Sequence, residues 1–136
     1  MIIVDTGPLY AAADADDIHH EACIRVLQEA AEQLVAPVSV VIEAAFLIGK
    51  HLGPESEARF LRSILPSGIV VEHLTAVDLD RSAELVATYA DLRLGTVDAS
   101  VVAIAERLGA ATIVTVDRRH FSVVRPRHRD AFILLP

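Results

Sequence analysis

The sequence predicts an α/β fold, namely a three-layer α/β/α sandwich around a central, mostly parallel β-sheet. Short apolar runs rich in β-branched residues alternate along the chain with segments whose apolar residues recur at helical spacing. Strands that alternate with helices form parallel sheets that are covered on both faces. The chain has 136 residues, of which 53% are hydrophobic, and this suits one core. We therefore expect a single domain over residues 1–136.

In the first half of the chain, Gly and Pro mark the ends of the predicted elements. Ser39 is placed to cap a long helix, and Gly53 and Pro54 form its stop signal. The predicted elements are strand 2–4, a turn at 5–8, helices 9–13 and 19–33, strand 34–36, and helices 39–52 and 54–65.

In the second half, two threonines predict helix starts. Thr75 caps one helix, with Asp78 completing an imperfect capping box, and Thr96 caps the next, which ends at Gly109. The predicted elements are strand 69–71, helices 75–89 and 97–108, and strands 112–116 and 132–135. In a parallel sheet of this kind, ligands bind beyond the carboxyl ends of the strands.

Composition and charge limit the location of the protein and the kinds of partner. The longest run without a charged residue, 33–42, is too short for a transmembrane helix, and the N-terminus lacks the basic start of a signal peptide. We therefore expect a cytoplasmic protein. Cys23 is the only cysteine, which excludes an internal disulfide and a zinc site of several thiolates. The net charge of -7 disfavours nucleic-acid binding, yet five arginines lie together between positions 118 and 129.

Four acidic residues occupy positions where a soluble domain rarely places them. Asp5 and Asp117 each follow an apolar strand, Glu43 lies within an almost uncharged helix, and Asp98 lies in the first turn of another helix. Each aspartate taken alone also fits a structural role, because acids form turns at strand ends and favour the first turn of a helix. Two strands that end in Asp bring their carboxylates to one edge of the sheet, so we interpret the four acids as one site.

Glu43 is the strongest of these signals. Apolar residues cover nearly the whole circumference of its predicted helix, so we expect this carboxylate to be buried. A buried carboxylate requires a distant base, a proton or a metal ion. Because the candidate ligands are all oxygens, Mg²⁺ or Mn²⁺ is favoured over Zn²⁺. Such an ion activates water for attack on a phosphodiester, with Thr6 and Thr96 as hydroxyls that orient carboxylates or contact phosphate.

In these motifs the chain resembles PIN-domain proteins and, more narrowly, the VapC toxins of type II toxin-antitoxin pairs. The resemblance covers nearly the whole chain, and the motifs are specific only in combination. They are Ile3-Val4-Asp5-Thr6, Glu43 in its helix, the block from Asp91 to Ala99, and Thr115-Val116-Asp117-Arg118-Arg119-His120-Phe121.

The resemblance implies a Mg²⁺- or Mn²⁺-dependent endoribonuclease acting on tRNA or rRNA. It implies that the catalytic and metal-binding acids are Asp5, Glu43, Asp98 and Asp117. A homodimer and a VapB-like antitoxin, which inserts a segment into the acidic groove, are implied as partners. Because an acidic pocket repels RNA, we predict that Arg118 and Arg119, with Arg125 as a further candidate, flank the RNA path.

Other function classes remain open from the residues alone. A PIN-domain nuclease of RNA processing without a toxin role and a non-catalytic module that grips a basic partner are the alternatives. Phosphoacceptor receivers and haloacid-type phosphatases also place Asp at strand ends. The sole lysine, Lys50, lies too early for a receiver, and Gly7 stands where such a phosphatase has its second Asp.

Overall fold

Five short parallel strands form one sheet in the computed structural model, which describes all 136 residues. In chain order the strands are β1 (Ile2–Val4), β2 (Leu34–Pro37), β3 (Val70–Glu72), β4 (Thr112–Val114) and β5 (Ile133–Leu135). The helices are α1 (Thr6–Ala13), α2 (His20–Glu29), α3 (Val38–Leu52), α4 (Pro54–Ser63), α5 (Ala76–Thr88), α6 (Thr96–Leu108) and α7 (Arg118–Val123). A 3₁₀ turn, Ala90–Leu92, separates α5 from α6.

The order of the strands creates a crevice beside β1. The sheet runs β3-β2-β1-β4-β5, so the chain builds outward from β1 on one side and then crosses to β4 on the other. Because connections between parallel strands are almost always right-handed, those on the two sides of this reversal place helices on both faces, as in the predicted three-layer fold. The carboxyl ends of β1 and β4 are adjacent at the reversal, which is where open parallel sheets bind ligands.

The core consists of the central strands and the helices packed on them. Ile3, Val4, Ile113 and Val114 on β1 and β4 are fully buried, and a cluster of 28 buried residues continues into α3 and α6. Burial of β-branched residues on both faces stabilises a central parallel sheet. The rigid core therefore fixes where the two strand ends meet. None of the helices is both long and apolar enough to cross a bilayer.

Several boundaries differ from the sequence-based expectation. The residues predicted as a turn at 5–8 instead begin α1, since Pro8 is compatible with the first turn of a helix. Ser39 and Thr96 do not cap, because α3 and α6 begin at or before them. Instead, the Ser39 hydroxyl contacts the Ser100 hydroxyl at 2.7 Å. The Thr75 capping box is confirmed, with Asp78 as its second member.

The strand ends and the last helix also required correction. The strand predicted over 112–116 ends at Val114, and helix α2 ends at Glu29, short of the predicted end at residue 33. Helix α7, at only six residues, was too short to show a helical period and was not predicted. It nevertheless matters for the site, because it positions the residues after Asp117.

Candidate active site

Asp5 lies at the centre of the candidate site, at the end of β1. Its backbone N–H donates to the Val114 carbonyl at 3.0 Å, which continues the pairing with β4 by one residue. The residue is only 6% exposed, and its side chain makes no capping hydrogen bond to α1. The Thr115 hydroxyl donates to Asp5 Oδ2 at 2.8 Å, whereas Oδ1 is buried without any partner. A turn-forming role therefore does not account for this carboxylate.

The environment of Asp5 disfavours its charge. Burial, followed by the nearby carboxylate of Asp98 and less strongly that of Glu43, raises the pKa of Asp5 to about 6. The backbone of Thr6 and the hydroxyl of Thr115 partly offset this rise in pKa. Three of the four predicted acids, Asp5, Glu43 and Asp98, are thus electrostatic neighbours. A carboxyl group with a raised pKa among like charges is typical of functional sites.

A glycine allows this close arrangement. A Cβ atom on Gly7 would lie 2.3 Å from Cγ2 of Val116, well inside van der Waals contact. The absence of a side chain lets the first turn of α1 approach the residues that follow β4. Asp5 and Thr115 can therefore meet across the crevice.

Glu43 faces the site from α3 but is less buried than predicted. The Thr6 hydroxyl donates to Glu43 Oε2 at 2.6 Å, a contact that fits the prediction that Thr6 orients a carboxylate. However, Glu43 is only half-buried, and its neighbours Ile42 and Phe46 are 65% and 64% exposed. The expectation of a fully buried Glu43 was wrong, because the apolar circumference of α3 is not entirely covered within one chain.

Asp98 enters from the first turn of α6. Its Oδ2 lies 2.5 Å from Nδ1 of His120, which projects from α7. The two side chains are 25% and 13% exposed, respectively. His120 is the contact that the sequence analysis missed, since its pairing depends on the unpredicted helix α7. The neighbouring Phe121 is part of the core, at 2% exposure.

Asp117 lies at the rim of the site. It caps α7 by accepting from the Arg119 N–H at 3.2 Å, and its carboxylate also lies 3.5 Å from the Arg119 guanidinium. Its side chain is 58% exposed. Its backbone N–H donates to the Thr115 hydroxyl at 3.2 Å, so Thr115 connects Asp117 to the buried Asp5. Thr115 was given no role from the sequence, because it fell inside the predicted strand 112–116, whereas the structure ends that strand at Val114.

The remaining predicted residues differ in their placement. Thr96 is exposed, and its hydroxyl has no hydrogen-bond partner among the site acids. Arg118 is exposed close to the site, but its guanidinium donates to the carbonyls of Leu134 and Pro136. The other arginines of the strip contact groups outside the site: Arg125 donates to the Asp130 carbonyl, Arg127 pairs with Glu84, and Arg129 donates to the Ala131 carbonyl.

The site offers oxygen ligands but no closed cage. No group of three or more acidic, His or Cys side chains is placed so as to surround a cation. The donor set nevertheless suits a hard divalent ion, because Asp5 Oδ1 is a buried, unpartnered oxygen beside two further carboxylates. A cation there would compensate for the burial and repulsion that raise the pKa of Asp5.

Comparison with known proteins identifies the family. The PIN-domain model matches residues 2–125. Ribonuclease VapC26 of Mycobacterium tuberculosis is 33% identical over 135 residues, which cover 99% of this chain and 100% of that protein. PIN-domain ribonucleases generally depend on divalent metal ions.

Solved structures share the fold at lower identity. VapC20 of Mycobacterium tuberculosis, a toxin that cleaves the sarcin-ricin loop, superposes with a TM-score of 0.82 at 21% identity, covering 87% of this chain and 91% of that chain. VapBC2 from Rickettsia felis, bound to a fragment of its promoter DNA, gives a TM-score of 0.70 at 19% identity, covering 98% and 97%. The resemblance noted in the motifs is thereby confirmed, and the chain belongs to the PIN-domain family, among the VapC ribonucleases.

Proposed function

We propose that this protein is a metal-dependent endoribonuclease that hydrolyses RNA phosphodiester bonds as the toxin of a VapBC-type pair. The observation that carries the proposal is the buried, unpartnered Oδ1 of Asp5, whose carboxyl pKa is raised beside Asp98 and Glu43. Family membership alone would not identify which acidic residues of this chain bind the metal ion. The electrostatics of these three residues supply a reason to bind a cation at the β1–β4 crevice.

The residues of the site suit Mg²⁺, with Mn²⁺ as a substitute. Asp5, Glu43 and Asp98 would hold the ion, with Asp117 at the rim as the fourth acid. When bound, the ion lowers the pKa of a water molecule and offsets negative charge on the phosphodiester. The hydroxyls of Thr6 and Thr115 orient Glu43 and Asp5 by the hydrogen bonds described above.

RNA, with tRNA or rRNA as the proposed targets, would reach the site past its basic rim. The guanidinium of Arg119 lies beside Asp117 and is 71% exposed, so it is accessible to a phosphate. Arg118 is exposed next to it. Positive charge at this rim would reduce the repulsion between RNA phosphates and the site acids. Arg125 contributes less in this scheme, because its contacts lie with Tyr89 and Asp130.

The test compares wild type with Asp98→Asn on a panel of tRNAs and rRNA fragments, purified without any antitoxin. We expect cleavage by wild type with Mg²⁺ or Mn²⁺, none with EDTA, and a loss of activity in the variant. Asp80→Asn is the matched control, because Asp80 is an exposed acid on α5. This variant should cleave RNA as wild type does. Equal cleavage by Asp98→Asn would contradict the assignment. Metal binding without cleavage of any RNA would favour the non-catalytic binding module.

Two apolar surfaces support the proposed protein partners. Exposed Ile42 and Phe46 lie one turn apart on α3, and we propose that they contribute to a homodimer interface. A groove of about 690 Å³ with a largely apolar lining, including Leu9, Leu27 and Phe60, lies among α1, α2 and α4. We propose that a VapB-like antitoxin uses this groove and extends a segment to the acids.

Cellular and solution experiments separate the toxin role from RNA processing. If the protein is a toxin, its induced expression alone in the cytoplasm should arrest growth. Co-expression of a small neighbouring open reading frame should restore growth. A processing nuclease would not arrest growth. Analytical ultracentrifugation should give a dimer for wild type and a monomer for Phe46→Glu. A monomeric wild type would contradict the proposed homodimer.

A further inference from the structure

His120 makes the one side-chain hydrogen bond that Asp98 receives. Its Nδ1 lies 2.5 Å from Asp98 Oδ2, and no other side chain donates to this carboxylate. The hydroxyls of Thr6 and Thr115 donate to Glu43 and Asp5, respectively, so each of these two acids, like Asp98, accepts one side-chain hydrogen bond. His120 is therefore the hydrogen-bond donor for Asp98, as a threonine hydroxyl is for Glu43 and for Asp5.

Helix α7 determines the position of the imidazole. His120 is the third residue of α7, whose first turn is capped by Asp117 and whose next residue, Phe121, is buried in the core. The ring itself is 13% exposed. A carboxylate oxygen only accepts hydrogen bonds, so Nδ1 carries the proton and donates to Oδ2. The contact thus fixes one oxygen of Asp98 and leaves Oδ1 as the oxygen available to a ligand.

We propose that His120 is a positioning residue for Asp98, whose Nδ1–H fixes the carboxylate so that its second oxygen can bind the divalent ion. This inference rests on the proposed metal-dependent function. Carboxylates that bind metals are themselves held by hydrogen-bond donors, and removal of such a donor typically weakens metal binding by about 10- to 100-fold. Because only Nδ1 donates to Asp98, variants that keep or lose a donor at this position can distinguish the hydrogen bond from a general packing effect.

Three variants distinguish the nitrogen from the bulk of the ring. In His120→Asn, the side-chain amide nitrogen can take the place of Nδ1, whereas in His120→Gln the amide lies one bond further out and resembles Nε2. His120→Ala removes both nitrogens. We would measure Mn²⁺ binding by isothermal titration calorimetry on the full-length, metal-free protein. Thermal unfolding in EDTA would check that each variant is folded.

We expect the Mn²⁺ dissociation constant to be about 10- to 100-fold higher in His120→Ala and His120→Gln than in wild type. In His120→Asn it should lie within about threefold of the wild-type value. A wild-type affinity in His120→Ala would overturn the proposal. The assignment to Nδ1 would also be overturned if His120→Asn bound Mn²⁺ as weakly as His120→Ala, or if His120→Gln bound it as tightly as His120→Asn. If Ala fails to fold, the comparison of Asn with Gln decides in the same way. Wild type that does not bind Mn²⁺ would instead refute the metal site and the proposed function with it.

Discussion

Replacing Asp5 with Asn should stabilise the metal-free protein at neutral and alkaline pH. The carboxylate is buried, lacks a partner for Oδ1 and lies near two other acids, so its charged form is disfavoured in the folded state. Asparagine has nearly the same shape and keeps an oxygen for the Thr115 hydroxyl. Such a substitution would remove function and increase stability, as is common where an active site carries strain.

The magnitude follows from the pKa of Asp5. This pKa is about 6 in the folded protein against an ordinary value of 3.8, and each unit corresponds to about 1.4 kcal/mol. Between these two values the folded state holds a proton that the unfolded state has released, so stability falls as pH rises. The penalty is absent below about pH 4 and complete above about pH 7. Asp5→Asn should therefore raise the free energy of unfolding by up to about 3 kcal/mol at pH 8 and by little at pH 4.

Urea unfolding followed by circular dichroism, in EDTA and at several pH values between 4 and 8, measures this difference. Asp117→Asn is the matched control, because that carboxylate is 58% exposed and should shift stability little at any pH. Excess Mn²⁺ should narrow the gap, since only wild type gains stability from the ion. If Asp5→Asn were no more stable than wild type at pH 8 without metal, the electrostatic reasoning about the site would be refuted.

Three further substitutions test separate parts of the site. Gly7→Ala should lower the free energy of unfolding by about 1–3 kcal/mol in urea titrations, because its Cβ would collide with Val116, whereas Gly95→Ala, whose Cβ meets open space, should not. Thr115→Val should lower it by about 1–3 kcal/mol at pH 8, because a buried carboxylate oxygen loses its donor; an unchanged midpoint would show that this hydrogen bond contributes nothing. Arg119→Ala should raise KM for RNA and make the slope of log kcat/KM against log salt concentration shallower by about 1. An unchanged slope would remove Arg119 from the RNA path.

Periodicity and punctuation predicted most of the fold because the helices are long and the strands are apolar. The β-branched run at residues 2–4 matches β1, and Thr75 with Asp78 forms the predicted capping box. The errors occur where two signals compete. Gly7 and Pro8 are typical of a turn, but both are also tolerated in the first turn of a helix, and the structure uses them there.

The site was predictable in its acids but not in its hydrogen bonds. Asp5 could be placed from its position after a buried strand, because parallel strands bring their ends to one edge. Glu43 was selected for the apolar residues around it, although Ile42 and Phe46 are exposed and some of that apolar character belongs to the surface. Thr115 and His120 could not be assigned, since their partners lie 110 and 22 residues away along the chain.

Anomalous scattering of Mn²⁺ in crystals of the wild-type protein tests the proposed metal site at Asp5. We predict a peak within coordination distance of Asp5 Oδ1, the buried oxygen that has no partner, with Asp98 and Glu43 as further ligands. The same peak should be absent or much weaker in Asp5→Asn. The proposed metal site would be contradicted if crystals soaked in saturating Mn²⁺ showed no peak at the β1–β4 crevice, although the same protein cleaves RNA with Mn²⁺.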